Sequence, residues 1–464
     1  MTTGIEIWGK RVLVVGLART GIATALFCAK HGAVVTASDS RTEKEIGVTA
    51  EKLLAAGVTL ELGGHHENTF LEQDLIIPSP GVPADAPLLQ GARSKGVTVW
   101  SEVELADCYL NGKLIGITGS NGKTTTTSLI EHILRSEGFS TVLAGNIGMP
   151  LIARVEDTRD DTVTVVELSS FQLELTEKFR PDISVFLNLT PDHLDRHHTF
   201  EAYGLAKTRI FKNQTERDAA ILNADDPATS SLVPQRPRVF WFSRKQRVAQ
   251  GAYLRGEEIV FRNDGAEQVV LKRGEIPLAG AHNLENVLAA VVATRLAGAD
   301  CAAIAKGVRS FSGVEHRLEF VSEIGGVRYY NDSKATNVDA TLKAIEAFSG
   351  QIIAILGGKD KGSDYSVLRE PLKEKATLAL LIGAAAEKIE KQIAGSVEIE
   401  RAGTLERAVE IASRSAKPGS VVLLAPACAS FDQFENYEHR GRVFKALVHQ
   451  LEHQAAGATS SGKR

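Results

Sequence analysis

Cysteine is scarce and scattered in this chain. Cys28, Cys108, Cys301 and Cys428 stand far apart in 464 residues, and no two form a C-x-x-C pair. That spacing argues against a disulfide framework and against a cysteine zinc site, and free thiols suit a reducing cytoplasm. No apolar run approaches the ~18 residues of a membrane-spanning helix. Met1 to Trp8 lacks a basic stretch leading into an apolar one, so no secretory leader is indicated. Neither sign of charge dominates: Lys+Arg 53 against Asp+Glu 57 gives −4. With no basic cluster interleaved with aromatics, a nucleic-acid partner is not expected. Low complexity is confined to the small, polar, basic tail 455–464, which composition predicts to be disordered.

What is present is an ordinary globular composition, 43% hydrophobic and 24% charged, in a chain too long for one core. Short β-rich runs alternate with helical spacing almost throughout. Arg11–Val15, a helical stretch Gly21–His31 and Ala33–Ala37 closing on Asp39 form a βαβ unit. The pattern predicts three α/β domains, at 1–101, 102–313 and 314–464.

The most informative stretch is Ile115 to Thr124. A buried strand breaks into Thr118-Gly119-Ser120-Asn121-Gly122-Lys123-Thr124 and then opens a helix, Thr125 to Arg135. Glycines let backbone N–H groups approach phosphate oxygens, and a helix N-terminus adds partial positive charge. Lys123 would reach the terminal phosphates and the Thr124 hydroxyl would bind Mg²⁺. Ile117 stands where the full P-loop spacing asks for glycine, so this is a shortened variant. A turn needing glycine for geometry alone is the weaker reading.

Other segments are less specific. Gly16-Leu17-Ala18-Arg19-Thr20-Gly21 with Asp39 ending the next strand fits a dinucleotide fold, a nucleotide-sugar site, or close packing of helix on strand. Glu167 ends a buried strand, where a carboxylate can complete a Mg²⁺ shell; capping near Ser169 and Ser170 is the alternative. In Asp192-His193-Leu194-Asp195-Arg196-His197-His198 one histidine suits Mg²⁺ or phosphate and the others read as solvated. Lys207 lies on a helical stretch, and the residue pattern alone makes it a surface lysine. Three polar loops follow strands near the carboxyl end: Asn331–Asn337, Leu356–Gly362 and Pro426–Phe434. They could line a carboxylate-binding cleft or be plain turns. Cys428 has no evident base partner and reads as a small buried residue.

Taken together, these segments closely resemble the Mur ligase family over nearly the whole chain. The motifs are Thr118–Thr124, Gly145–Gly148, Glu167–Leu173, Asn188–Asp195, Asn223–Asp226 and His282–Asn286, in that order. Asn331–Asn337 and Pro426–Phe434 look like the member that adds D-glutamate to UDP-N-acetylmuramoyl-L-alanine. The resemblance implies a Rossmann-like N-terminal domain for the uridine precursor. It further implies a central P-loop-type ATPase domain with a mostly parallel sheet, and a Rossmann-like C-terminal domain for the amino acid. It implies ATP and two Mg²⁺ ions, with Gly119, Ser120, Asn121, Gly122, Lys123, Thr124 and Thr125 at the phosphates. Asn283 and Asn286 would meet adenine, Arg317 a phosphate, and Asp332 with Lys334 the ribose and phosphate. Thr124 and Glu167 would hold one Mg²⁺. His193 and Lys207, the latter carrying a CO₂-derived carbamate, would hold the second. Asn146 would sit near the phosphates and the reacting carboxylate. Arg19, Thr20, Asp39, Ser40, Ser79 and Gly81 match the uridine-nucleotide region, and Thr336, Lys361, Ser430, Phe431 and Tyr437 the D-glutamate region. Lys359, Tyr437 and Arg19 depart from residues found in some relatives, which bears on affinity and uracil packing. A monomer acting in the cytoplasm, without nucleic acid or membrane insertion, is the expectation.

Two rivals set the terms for testing. Another ligase of the same fold would add a different amino acid, or γ-glutamate to folate. A nicotinamide oxidoreductase reading of Gly16–Asp39 leaves Gly119–Thr124 without a purpose, and a regulator would bind nucleotide with no turnover.

Overall fold

Three sheets organise the chain, and the computed structural model describes residues 7–278 and 280–461. The first has strands β1 (Arg11–Val15), β2 (Val34–Asp39), β3 (Thr59–Leu62), β4 (Leu75–Pro78) and β5 (Thr98–Val99), all parallel, in the order β3-β2-β1-β4-β5. Leu13 and Val14 are fully buried within the central β1, as expected of a parallel strand covered on both faces.

The second sheet comprises β6 (Lys113–Thr118), β7 (Thr141–Gly145), β8 (Val163–Glu167), β9 (Ile183–Phe186), β10 (Ala219–Asn223), β11 (Arg238–Ser243), β12 (Gly251–Arg255), β13 (Glu258–Asn263) and β14 (Ala266–Lys272). Their order is β14-β13-β12-β11-β10-β9-β6-β8-β7, antiparallel only at β12–β13 and β13–β14. This order matters for the site. β6 lies between β9 and β8, with Ile117 opposite Glu167 and Thr118 opposite Phe186. Residues 118–124 therefore leave the sheet beside the carboxyl ends of both neighbours, where open α/β sheets present ligand sites.

The third sheet holds β15 (Glu319–Ile324), β16 (Val327–Asn331), β17 (Ile352–Gly357), β18 (Ala376–Ile382), β19 (Ile399–Gly403) and β20 (Val421–Leu424), in the order β15-β16-β20-β17-β18-β19. Only β15–β16 is antiparallel. Because β20 runs between β16 and β17, the three loops following these strands emerge side by side.

The chain forms two compact units: the part up to Glu275 with Glu285–Phe311, and Ile276–Leu284 with the part from Ser312 onward. The first unit contains two of the three expected α/β domains. One continuous apolar core runs through both, joining Val12 and Trp100 to Leu114 and Phe186. Two predicted ends shift. The helix after the glycine loop begins at Lys123 rather than Thr125 and ends at Ser136. The final helix, Tyr437–Ser461, continues through most of the stretch composition predicted to be a disordered tail; its alanines favour helix. Residues 462–464 of that tail lie outside the described residues. All four cysteines are free, with Cys28 and Cys428 buried. Among the described residues no helix is long and apolar enough to cross a membrane.

Candidate active site

The glycine loop is held by its neighbours as well as by its own lysine. Ser120 and Asn121 donate backbone N–H bonds to the backbone oxygen and the side-chain oxygen of Asn188, at 3.0 and 2.8 Å. Asn188 returns a bond from Nδ2 to the Asn121 carbonyl at 3.1 Å. Ser120 Oγ bonds to the Thr190 carbonyl at 2.9 Å and lies 3.1 Å from the Tyr203 hydroxyl. Gly122 is the N-cap of the following helix at φ 87°, in the left-handed region that only glycine adopts freely. A Cβ there would collide with Asn286 Oδ1, so the glycine is needed for space as well as for φ. No acidic residue occupies the first turn of this helix. Its partial positive end is left to an anion from outside the protein.

Two lysines converge on this loop. Lys123 Nζ donates to the carbonyls of Gly119 and Ser120 at 2.8 and 2.9 Å. Lys207 Nζ donates to the same Gly119 carbonyl at 2.8 Å and to Thr118 Oγ1 at 3.4 Å, and lies 4.8 Å from the Tyr203 ring centre. The residue pattern made Lys207 a surface lysine; the structure corrects this, with only 2% of the residue exposed. The helix Phe200–Thr208 turns that face inward because Tyr203, Ala206 and Lys207 pack together under the loop. Burial, and secondarily the charge of Lys123, drive the Lys207 amine well below the ordinary lysine range.

Glu167, at the end of β8, is 1% exposed. Its Oε1 accepts a 2.7 Å bond from Asn146 Nδ2, and its backbone carbonyl accepts from Asn146 N at 2.9 Å. Its Oε2 is buried without a partner. The alternative role at a helix cap falls to others: Ser169 and Gln172 form the capping box of the short helix Ser170–Leu173.

In the Asp192–His198 segment, His193 has φ 53° and is half exposed, with its ring against Phe171 at 4.9 Å and facing Tyr203 at 6.4 Å. Tyr203 therefore lies between His193 and Lys207, though sequence reading gave it no role. His197 is not solvated as expected. It is buried, stacked on Phe171, 3.0 Å from Glu174 and 2.9 Å from Ser170 Oγ. His198 is exposed, 3.7 Å from Asp85. Arg196 lies over Phe171 at 4.7 Å and donates to the Val82 carbonyl at 2.8 Å.

Near the first sheet, both Asp39 oxygens are engaged: Oδ2 accepts from Leu17 N at 2.6 Å, and Arg41 forks onto both oxygens. The Arg41 guanidinium holds this carboxyl down at about 2. Ser79 Oγ bonds to the Gly16 carbonyl at 2.6 Å. A Cβ on Gly21 would strike that carbonyl and Ser79 Oγ, so this glycine serves close packing. Arg19, Ser40 and Gly81 are exposed and Thr20 half-buried along the same loops.

In the second unit the three loops do come together. Lys359 and Ala429 exchange backbone bonds at 2.8 and 3.2 Å, and Ala427 N donates to the Ala335 carbonyl at 2.9 Å. Arg440, which sequence reading missed, is fully buried. It donates to Ser333 Oγ and the Ser333 carbonyl at 2.9 and 2.8 Å, and to the Cys428 carbonyl at 3.3 Å. Asp332 is buried, and burial lifts its carboxyl to about 6 against the opposing pull of Arg317. Lys334 lies 5.7 Å from the Tyr437 ring centre. Ser430 is buried and Thr336 half-buried, whereas Lys361 and Phe431 are exposed. Asn283 is buried on the helix Ala281–Ala297; Asn286, on the same helix but within the first unit, is buried against Gly122 and 3.3 Å from Thr126 Oγ1. Cys428 is buried, lies 3.0 Å from the Tyr365 hydroxyl, and has its thiol pushed up by burial, in keeping with a small packed residue.

Residues 10–101 match the model of the Mur ligase MurD-like N-terminal domain, 117–294 the Mur ligase middle domain, and 316–428 the Mur ligase glutamate ligase domain. A UDP-N-acetylmuramoylalanine–D-glutamate ligase of Acidobacterium capsulatum is 56% identical, covering 98% of this chain and 99% of its own. One from Koribacter versatilis is 53% identical over 97% and 99%. The fold is similar to that of the Thermotoga maritima UDP-N-acetylmuramate-alanine ligase MurC (TM-score 0.58, 19% identity, 96% of this chain and 100% of that one). It is equally similar to T. maritima MurF ligase solved with ADP (TM-score 0.59, 18% identity, 96% of each). Three family domains matched in chain order, and relatives more than half identical from end to end, place the chain: it belongs to the Mur ligase family.

Proposed function

We propose that this chain is an ATP-dependent, ADP-forming ligase that joins D-glutamate to UDP-N-acetylmuramoyl-L-alanine in peptidoglycan precursor synthesis. The observation that carries the reading is the convergence of Lys123 and the buried Lys207 on the Gly119 carbonyl, within a glycine loop at a helix N-terminus. Near-full-length relatives bearing that name support the choice of amino acid.

The chemistry runs in two steps. An oxygen of the L-alanyl carboxylate takes the γ-phosphoryl group of ATP, releasing ADP and leaving an acyl phosphate. The amine of D-glutamate then attacks the carbonyl carbon; a C–N bond forms, the C–O bond to phosphate breaks, and phosphate and a proton leave. Activation is required because a carboxylate is a poor electrophile. Lys123 would exchange its two loop carbonyls for phosphate oxygens, and the loop N–H groups would hold the rest of the phosphate chain. Asn286 would border the adenine site with Asn283. Arg317, Asp332 and Lys334 would contribute nucleotide contacts. Thr336, Lys361, Ser430, Phe431 and Tyr437 would hold D-glutamate. The uridine nucleotide would be met by Arg19, Thr20, Asp39, Ser40, Ser79 and Gly81. Asp39, already bound to Leu17 N and Arg41, would act there by shaping the loop.

The residues fit Mg²⁺. Glu167 carries a buried oxygen without a partner, and the oxygen donors Glu167 and Thr124 suit a hard cation that keeps phosphate and water among its ligands. No group of three His, Cys, Asp or Glu side chains gathers among the described residues. At a second site, His193 would be joined by an anion, carbamylated Lys207. The lowered pKa of Lys207 favours the deprotonated amine, which can attack CO₂: the N–C bond forms, one N–H proton passes to water, and the neutral amine becomes an anionic, carboxylate-like ligand. Bound there, the two ions would offset charge developing on the transferring phosphoryl group. The reading includes a monomer working in the cytoplasm.

Phosphate release from ATP tests it, measured with UDP-N-acetylmuramoyl-L-alanine and Mg²⁺, with and without D-glutamate, and with L-glutamate or L-lysine instead. Release that needs both the precursor and D-glutamate is expected. Release with a different amino acid would move the assignment within the family, and no release with any acceptor would sink it.

A further inference from the structure

A cavity of about 380 Å³ lies in the first unit, along the helix Arg19–Lys30, away from the glycine loop. One wall is a helical stripe, Ile22, Ala23, Leu26 and Phe27, spaced so that all four share a face. The facing wall is Met149, Pro150, Ile152 and Ala153. Met149 is the chain's only methionine besides Met1 and is 46% exposed; a flexible, polarisable side chain left on a surface suits an adaptable contact.

The rim is charged, and unevenly. Lys30 is neutralised by Glu156 at 2.5 Å. Lys52 also borders the cavity and makes no ion pair or side-chain hydrogen bond among the described residues; Arg19, at the other end of the rim, is one of the residues assigned above to the uridine nucleotide. An apolar trough of small-molecule size, with the uncompensated Lys52 at its edge, is complementary to one kind of ligand.

We propose that this cavity binds a small amphipathic anion, an apolar body carrying a single acidic head, and that occupancy inhibits the enzyme. The route to the active site is short. Gly145 N donates to the Met149 carbonyl at 2.9 Å, closing the turn that carries Asn146, and Asn146 in turn holds Glu167 Oε1 at 2.7 Å. A ligand seated against Met149 and Pro150 bears on that turn. The inhibition rests on the ligase reading; the binding does not.

Binding is measured first, on the full chain without nucleotide, with 8-anilinonaphthalene-1-sulfonate as the fluorescent probe and octanoate as competitor. Two variants read the site: Lys52→Glu reverses an exposed rim charge, and Ala153→Phe fills the trough from an exposed position. Neither residue belongs to the proposed catalytic or substrate contacts. Saturable one-site binding is expected, displaced by octanoate, weakened at least tenfold by each variant and weakened by salt. Phosphate release by the native chain should fall as octanoate fills the site, while both variants keep basal turnover and resist inhibition. Absence of saturable binding, or binding unchanged in both variants, overturns the site. Binding that follows the variants without any effect on an active enzyme overturns the inhibition. A native chain with no turnover at all would fail the ligase reading and leave the binding result standing.

Discussion

Lys207 gives the sharpest test, because its burial makes a prediction about stability separate from the one about activity. Replacement by Met keeps the length of the side chain and removes the amine. The lost bonds run to Gly119 O and Thr118 Oγ1. Gly119 O keeps its bond from Lys123, and Thr118 Oγ1 keeps its 2.9 Å bond to the Leu168 carbonyl. No partner is orphaned, so the loss is of the order of one net hydrogen bond, about 1 kcal/mol, and relief from burying an amine opposes it. The pH dependence is larger. The Lys207 pKa is lowered in the folded chain by burial and by Lys123, so between that lowered value and the ordinary lysine value of about 10.4 the unfolded chain binds one proton more than the folded one. Stability from this group therefore rises with pH, by about 1.4 kcal/mol per unit, and falls as pH drops. Urea unfolding of native chain and Lys207→Met at pH 7, 8 and 9, in bicarbonate-free buffer, reads the difference directly. The native chain should gain on the variant at each step. A difference that stays flat with pH would mean Lys207 is charged in the folded state, and the argument for a CO₂-reactive amine would fail. Turnover of Lys207→Ala should be abolished and partly restored by formate or acetate; unimpaired turnover would remove Lys207 from the mechanism.

Gly122→Ala places a methyl group on Asn286 Oδ1 at a φ of 87°, and should cost about 1–3 kcal/mol while weakening ATP binding, measured by denaturation and by nucleotide titration. Arg440→Met leaves the Ser333 and Cys428 carbonyls without their side-chain donor; stability should fall by about 2–4 kcal/mol, and the KM for D-glutamate should rise more than kcat falls. Asp332, lifted to about 6 by burial, is ionised above that pH and neutral below it. If its anion holds the ribose, the KM for ATP should climb as pH falls through 6, and Asp332→Asn should flatten the profile at the weaker level.

Much of the fold was legible in local pattern. The apolar runs Arg11–Val15 and Lys113–Thr118 are buried strands because parallel strands covered on both faces need unbroken hydrophobicity. The glycine loop was legible for a related reason: Gly122 stands where neither the backbone angle nor the space tolerates a side chain. His197 was not legible. A histidine among Asp, Arg and His reads as solvated, and only the packing of Phe171, Ser170 and Glu174 around it makes it buried. Arg440 and Tyr203 were missed because an arginine or tyrosine on a helix carries no local mark of which face it turns inward.

The sequence by itself determined the alternation of strand and helix, the phosphate-type loop and the family resemblance, because each is written in neighbouring residues. Tertiary structure alone decided which distant groups meet. Strand order puts β6 between β8 and β9, and β20 between β16 and β17; this seats Glu167 and Asn188 at the glycine loop and brings three separate loops together in the second unit. Burial then biased the chemistry: the pKa of Lys207 is driven well below that of a lysine in water, because the interior does not solvate its charge and Lys123 repels it.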